Sequence, residues 1–326
     1  MSEERKMILT MLQEGKISVD EAERLLKALH ESNGHDGADE AKTTEQSLSD
    51  IVDWKAWDDR KREYRQKTGG FKFYHYFDSF IRKLKDVDLD FNFGSYETVN
   101  HIFVKHTNAF SDIAVEIKNG AVTVIPWDEE VVRIDCEAKV YKVKSGEEAR
   151  ERFLEEARFN VEDGTFLFVC EVQDIKCSAT IHVPKKTYHS VAMRMFNGDI
   201  RGENILASEL RAKTVNGSIT CSHLQAVLVE LETGNGTITV DGSADKIVLE
   251  TLNGAIRASG AFHECDAESF SGAIQAEFKE AGRASLKATT GGIDVAVPRD
   301  VTVNGDLQTV FGSIHRQIDS FDILQE

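Results

Sequence analysis

VELETGNGTITVDGSADKIVLETLNGAI, residues 229–256, states one phrase twice: alternating apolar residues, Asn-Gly, one spacer, Ile. With the Ile as origin, Val229, Leu231 and Thr233 stand nine, seven and five positions before Ile238, and Ile247, Leu249 and Thr251 stand likewise before Ile256. That period of two belongs to strands with one buried face. The phrase extends in both directions. Gly198, Gly217, Gly236, Gly254, Gly272, Gly291 and Gly312 each precede an Ile by two residues, at intervals of 18 to 21. A fixed period of about 20 residues marks stacked supersecondary units, each too small to bury a core alone.

The inward columns continue past the Ile. Cys221, Val240, Ala258, Ala276 and Val295 follow it by two, and Leu210, Ala212 and Thr214 precede Ile219. Cys221 therefore reads as a core residue, and Cys265, in the slot of Val229 and Ile247, as another. Asn197-Gly198, Asn216-Gly217, Asn235-Gly236 and Asn253-Gly254 read as bends where left-handed backbone is cheap. Asn-Gly is also a hairpin signal, so a meander competes with a solenoid. Near-identical units in a row favour the solenoid, with Asn side chains bonding along the stack. That ladder is expected to end before the last three coils, where Ser271, Thr290 and Phe311 replace Asn, and Phe311 is expected in a C-terminal plug. An earlier copy, Ile113 to Val124 around Asn119-Gly120, is set apart by an inserted helix near 145–158, opened by the capping pair Ser145 and Glu148.

The fold class expected is mainly β: a single-chain β-solenoid of ~19-residue coils, preceded by an α-helical hairpin and an amphipathic helical region. Residues 1–30 form the hairpin, with Met7, Ile8, Met11 and Leu12 facing Leu25, Leu26 and Leu29 across Gly15-Lys16, and Ser18 with Glu21 as a capping box. So small a unit is expected to dock on a partner or on a second copy. Residues 31–53 are a polar linker. Residues 54–86 turn basic and aromatic, carrying Trp54 and Trp57, then Phe73, Phe77, Phe80 and Leu84 on one helical face beside Arg82, Lys83 and Lys85. This segment suits either a cap over the first coil or an anionic membrane surface. The solenoid domain fills 87–326, with Val87, Leu89, Phe91 and Phe93 alternating as a strand.

The Thr-x-Asn-Gly-x-Ile repeats resemble the putative-adhesin β-solenoid domain of unknown function found across bacteria, over residues 100 to 314. EERKMILTMLQEGKISVDEAERLLKAL resembles the SHOCT-like helical domain that precedes this solenoid in the YvlB/LiaX-like family of Gram-positive bacteria. The resemblance implies a scaffold or sensor in the cell-envelope stress response, alongside phage-shock-type membrane proteins. It implies no catalytic residues.

A formal charge of −17 over 326 residues disfavours nucleic acid. No apolar run is long enough to span a bilayer, and MSEERKMILTML lacks the pattern of a signal peptide, so the expected location is cytoplasmic or peripheral to the membrane. Five cysteines without paired spacing suit reduced thiols, and neither a cofactor, a metal nor a catalytic motif is legible. Against the scaffold stand a secreted or surface adhesin and, further off, a polysaccharide lyase assembled across coils.

The column six before each Ile reads Arg194, Lys213, Glu232, Glu250, Glu268, Lys287. Glutamates at roughly 4.8 Å repel by about 1 kcal/mol per pair in water, and Glu230 and Asp266 lie beside them. The expectation is an outward acidic stripe, Glu230, Glu232, Glu250, Asp266 and Glu268, for a cationic partner: the chain's own 54–86, a partner's basic tail or a cationic peptide. The plainer alternative is the solvated face of an acidic protein.

Overall fold

Identical residues at a fixed interval stack best upon themselves, and the chain does this. The computed structural model describes residues 94–106 and 109–317. The hairpin, the linker, the segment 54–86 with Trp54 to Lys85, and the alternating residues 87–93 lie outside the described residues. Described are β1 (Tyr96–His106), β2 (Asp112–Trp127), β3 (Val131–Tyr141), α1 (Gly146–Glu156), β4 (Arg158–Glu162), β5 (Thr165–Cys170), β6 (Ile175–Pro184), β7 (Thr187–Glu203), β8 (Leu206–Asn216), β9 (Ile219–Asn235) and β10 (Ile238–Asn253). They continue as β11 (Ile256–Ser271), β12 (Ile274–Phe278), β13 (Gly282–Thr290), β14 (Ile293–Ala296), β15 (Val303–Phe311) and β16 (Ile314–Gln317).

From β7 to β16 every pairing is parallel and repeat matches repeat. Ile238 lies between Ile219 and Ile256, and Leu249 between Leu231 and Ala267. A hairpin meander would pair consecutive strands antiparallel; among the described strands such pairing is confined to β1–β3, β3–β6 and β4–β5. Ile200, Ile219, Ile238, Ile256, Ile274 and Ile293 are wholly buried in one column. Each such side chain contributes about 1.5–3 kcal/mol of burial, so the columns supply the stability that no single coil has.

The bend explains the glycine. A Cβ on Gly217 would stand 2.1 Å from the carbonyl oxygen of Gly198, and on Gly236 2.0 Å from that of Gly217. Gly217 sits at φ +147°, but Gly254, whose φ is not in the left-handed range, meets the same obstruction at 1.9 Å from the Gly236 oxygen. Close approach, more than backbone handedness, therefore selects glycine, and the Asn residues before it do not adopt positive φ. Their role is the ladder. Asn197 Nδ2 donates to Asn119 Oδ1 at 2.9 Å, and Asn216, Asn235 and Asn253 each donate to the preceding Asn at 2.8 Å. A second ladder lies inside the bend, where Thr214, Thr233, Thr251 and Ser269 donate to the carbonyls of Gly198, Gly217, Gly236 and Gly254 at 2.7–3.1 Å. These hydroxyls are buried, which explains a polar residue at an inward position: it satisfies a bend carbonyl.

The coils from Gly198 to Gly272 differ in length by a residue, and the surplus is absorbed four positions after the Ile. Asn204 (φ 54°) and His223 (φ 53°) take left-handed backbone there, and the β9–β10 register slips at the same place.

The insertion between β2 and β7 does not interrupt the stack. Asn119 lies opposite Asn197 and Val122 opposite Ile200, while β5 and β6 together supply the coil on the other side of β2. Ser145 Oγ accepts from the Glu148 amide at 3.2 Å and Glu148 returns a carboxylate to the Lys144 amide at 2.8 Å, which starts α1. The helix packs on β1 and β3 and buries Ala149 and Phe153. Phe103 lies 6.2, 5.8 and 6.0 Å from the rings of Phe153, Phe159 and Phe168, and this aromatic cluster closes the core at that end. At the other end Phe311 is not a plug. It is 61% exposed, because it occupies the Asn slot, whose side chains point out of the bend.

Gly236→Ala should cost about 3 kcal/mol, and Asn235→Ala about 1 kcal/mol through two lost ladder bonds. Urea unfolding of the full chain measures both, and the reverse order would contradict the close-approach account.

Candidate functional site

The column six before the Ile is built as the sequence implies. Arg194, Lys213, Glu232, Glu250, Glu268 and Lys287 lie opposite one another coil by coil, and Glu116 of β2 heads the column. Adjacent strands bring these side chains together because the parallel register is exact to the residue from β8 to β10 across this arm.

Two features differ from an open acidic stripe. First, charge is compensated along and across the stack. Arg194 pairs with Glu116 at 2.9 Å and Lys213 with Glu232 at 3.3 Å. Arg211 reaches both Glu209 and Glu230, and Lys246 bonds Glu264 at 2.8 Å and Asp266 at 3.4 Å. Burial pushes the Lys246 ammonium down, but the two carboxylates outweigh it and hold its pKa above the ordinary value. Second, the stripe is not solvated along its length: Glu232 is 3% exposed and Glu250 7%, whereas Glu230, Asp266 and Glu268 are half-buried. Between them lie outward apolar residues, Phe196, Val215, Val248 and Leu252, all buried. The sequence reading traced the glutamate column but missed these. They stand two positions to either side of it, and tabulating those columns shows them.

The opposite arm carries an open groove of about 510 Å³ lined by Asp241, Arg257, Glu277, Asp294 and His315 among others. Two of its acids are engaged: Lys279 lies 3.4 Å from Asp241, and Ser259 Oγ donates to Glu277 at 3.1 Å. Among the described residues no cluster of His, Cys, Asp and Glu is arranged to hold a metal ion. All five cysteines are free and buried. Burial pushes the Cys221 and Cys265 thiols up to about 12. Cys177 is also raised, by hydrogen bonding with Cys136 and Cys170. None of these is poised as a thiolate nucleophile.

Residues 110–323 match the family model of the Toastrack DUF4097 domain, and residues 3–33 match a SHOCT-like domain. The chain is 33% identical over 214 residues to the uncharacterized protein YvlB of Bacillus subtilis strain 168, a match covering 66% of this chain and 58% of that protein. The chain thus aligns with little more than half the length of this relative. A crystal structure of a "putative adhesin" from Bacteroides fragilis superimposes with a TM-score of 0.46 at 15% identity, covering 68% of this chain and 98% of that one. Another, from Parabacteroides merdae, gives 0.40 at 14% identity, covering 67% and 95%.

Two outcomes test the electrostatics. Lys213→Ala leaves Glu232 buried beside one cation fewer and should cost about 3 kcal/mol; adding Glu232→Gln should recover part of it, as read from urea midpoints. The raised thiols stabilise the fold fully below their ordinary pKa of 9.0, and that contribution is lost as pH rises toward about 12. Stability should therefore fall between pH 9 and 11, less steeply in Cys221→Ala/Cys265→Ala; equal slopes would refute the assignment.

Proposed function

Because the chain belongs to the Toastrack DUF4097 family and carries a SHOCT-like match ahead of it, we propose that it is a non-enzymatic scaffold and sensor of the bacterial cell-envelope stress response. It docks through its N-terminal helices and presents the solenoid's acidic column to a cationic partner. The observation that carries this reading is the pairing itself. A helical unit of about thirty residues is too small to stand alone and so suits docking, while a solenoid held by two side-chain ladders and a buried Ile column suits the presentation of a fixed surface.

The partners this implies are a membrane protein of the phage-shock type, a second copy meeting through the hairpin, and an anionic membrane touched by residues 54–86. Basic residues near such a surface contribute about 1 kcal/mol each. The basic count of 54–86, with Arg82, Lys83 and Lys85 beside the apolar face, supports a salt-sensitive, peripheral attachment on the cytoplasmic side.

The full chain should float with phosphatidylglycerol vesicles at low salt, stay behind with phosphatidylcholine vesicles, and be released at moderate salt; Arg82→Glu/Lys83→Glu/Lys85→Glu should abolish flotation. In cells, deletion should change the induction of an envelope-stress reporter by a cationic antimicrobial peptide several-fold. Unchanged induction, with the protein recovered from washings of intact cells, would replace this reading by that of a surface adhesin.

A further inference from the structure

The edge of a sheet is a row of unpaired amides and carbonyls, and folded proteins blunt it with lysines, prolines, bulges or short strands. β1 uses little of this. Among the described strands it pairs with β3 alone. Its register with β3 runs unbroken through all eleven residues, from Tyr96 opposite Tyr141 to His106 opposite Val131. It contains no proline, and Lys105 is its one lysine. By contrast β4, outermost in the other arm at the same end, is five residues long. The buried Val99 and the half-buried His101 and Phe103 share the inward face of β1, so its even-numbered residues point outward. That outward face is apolar where a solenoid face is ordinarily polar: Ile102 and Val104 are each 53% exposed and Tyr96 46%.

We infer that β1 is the interface of a two-fold dimer, pairing antiparallel with β1 of a second copy about an axis through His101. The strand's own sequence selects this occupant. Laid antiparallel on itself over its full length, Tyr96–His106 sets Glu97 opposite Lys105 and, by symmetry, Lys105 opposite Glu97. A slip of two residues loses both pairs, setting Glu97 opposite Phe103 or Lys105 opposite Val99. The register that pairs the most backbone is thus the one that pairs unlike charges. Among the described residues neither charge has an ion-pair partner in its own copy. On the outward face Ile102 falls opposite Asn100 and diagonal to its own copy, and Val104 falls opposite Thr98. The four exposed aliphatic side chains therefore form one row across the axis. On the inward face His101 meets its own copy. Burial, and then the Arg150 guanidinium, hold its pKa below the ordinary value, so two uncharged imidazoles meet at neutral pH. Such a surface is isologous and closes on itself, with the same patch used by both copies. The N-terminal hairpin takes no part in it, so the inference stands apart from the docking reading above.

Sedimentation velocity of the full chain over a micromolar concentration series tests this. Glu97→Lys and Lys105→Glu each set like charges opposite one another twice, and each should weaken the dimer by about tenfold or more. The exchange Glu97→Lys/Lys105→Glu should restore it. That recovery separates a lost contact from a lost fold, because the exchange variant carries both substitutions. Ile102→Lys/Val104→Lys should also shift the chain to monomer. His101→Cys should give a disulfide-linked dimer on mild copper–phenanthroline oxidation, since position 101 opposes itself and the five native cysteines are buried. Glu97→Cys should not, because its copy lies about 27 Å along the partner strand. A chain that stays monomeric across the series overturns the inference. So does a dimer that is indifferent to both charge reversals and gives no link at 101, since association then lies elsewhere on the molecule.

Discussion

Everything in this molecule depends on how closely one coil lies on the next at the bend. With the glycine carbonyl of one coil where the Cβ of the next would be, about 2 Å away, only a residue without a side chain lets backbone N–H and C=O groups meet. Gly217 N–H then donates to Asn235 O at 2.8 Å and Gly236 N–H to Asn253 O at 2.9 Å. Once the bends are seated the rest follows. The Asn amides fall into a ladder outside, the Thr hydroxyls into a ladder inside, and the Ile column into contact with itself. A parallel in-register stack places like upon like, which rewards apolar residues and self-complementary amides and penalises like charges.

That penalty makes the Glu232–Glu250–Glu268 column informative. The described structure offsets it in part with Lys213, while Arg211 and Lys246 balance the neighbouring acids. Buried acidic residues next to buried outward apolar residues set this arm apart from an ordinary solvated face.

Much of the solenoid was legible because its signals are local and repeated. The glycine spacing gave the coils, the period of two gave the inward columns, and Ser145 with Glu148 gave the inserted helix. The Asn ladder was readable to its last member, since Ser271 and Thr290 have no amide to continue it. What escaped the reading depends on contacts remote in sequence. The coil assembled from β5 and β6 has no repeat phrase. The Phe103–Phe153–Phe168 cluster joins residues from three segments. The burial of Glu232 and Glu250 on an outward face is something that in/out parity cannot express. Phe311 misled because its size suggested a plug while its slot, shared with exposed Asn residues, points to solvent.

The left-handed residues Asn204 and His223 have a consequence for how such a protein can change over generations. At the bend one extra residue would move every side chain beyond it to the wrong face, while opposite the bend an extra residue becomes a bulge and the register recovers. The longest interval, 21 residues between Gly291 and Gly312, likewise places its surplus in the link 297–302 between β14 and β15. Insertions and deletions are thus admissible in two forms: one or two residues on the far arc, or whole coils, whose removal leaves matching surfaces to close upon each other. The length of the molecule is quantised at one edge and elastic at the other.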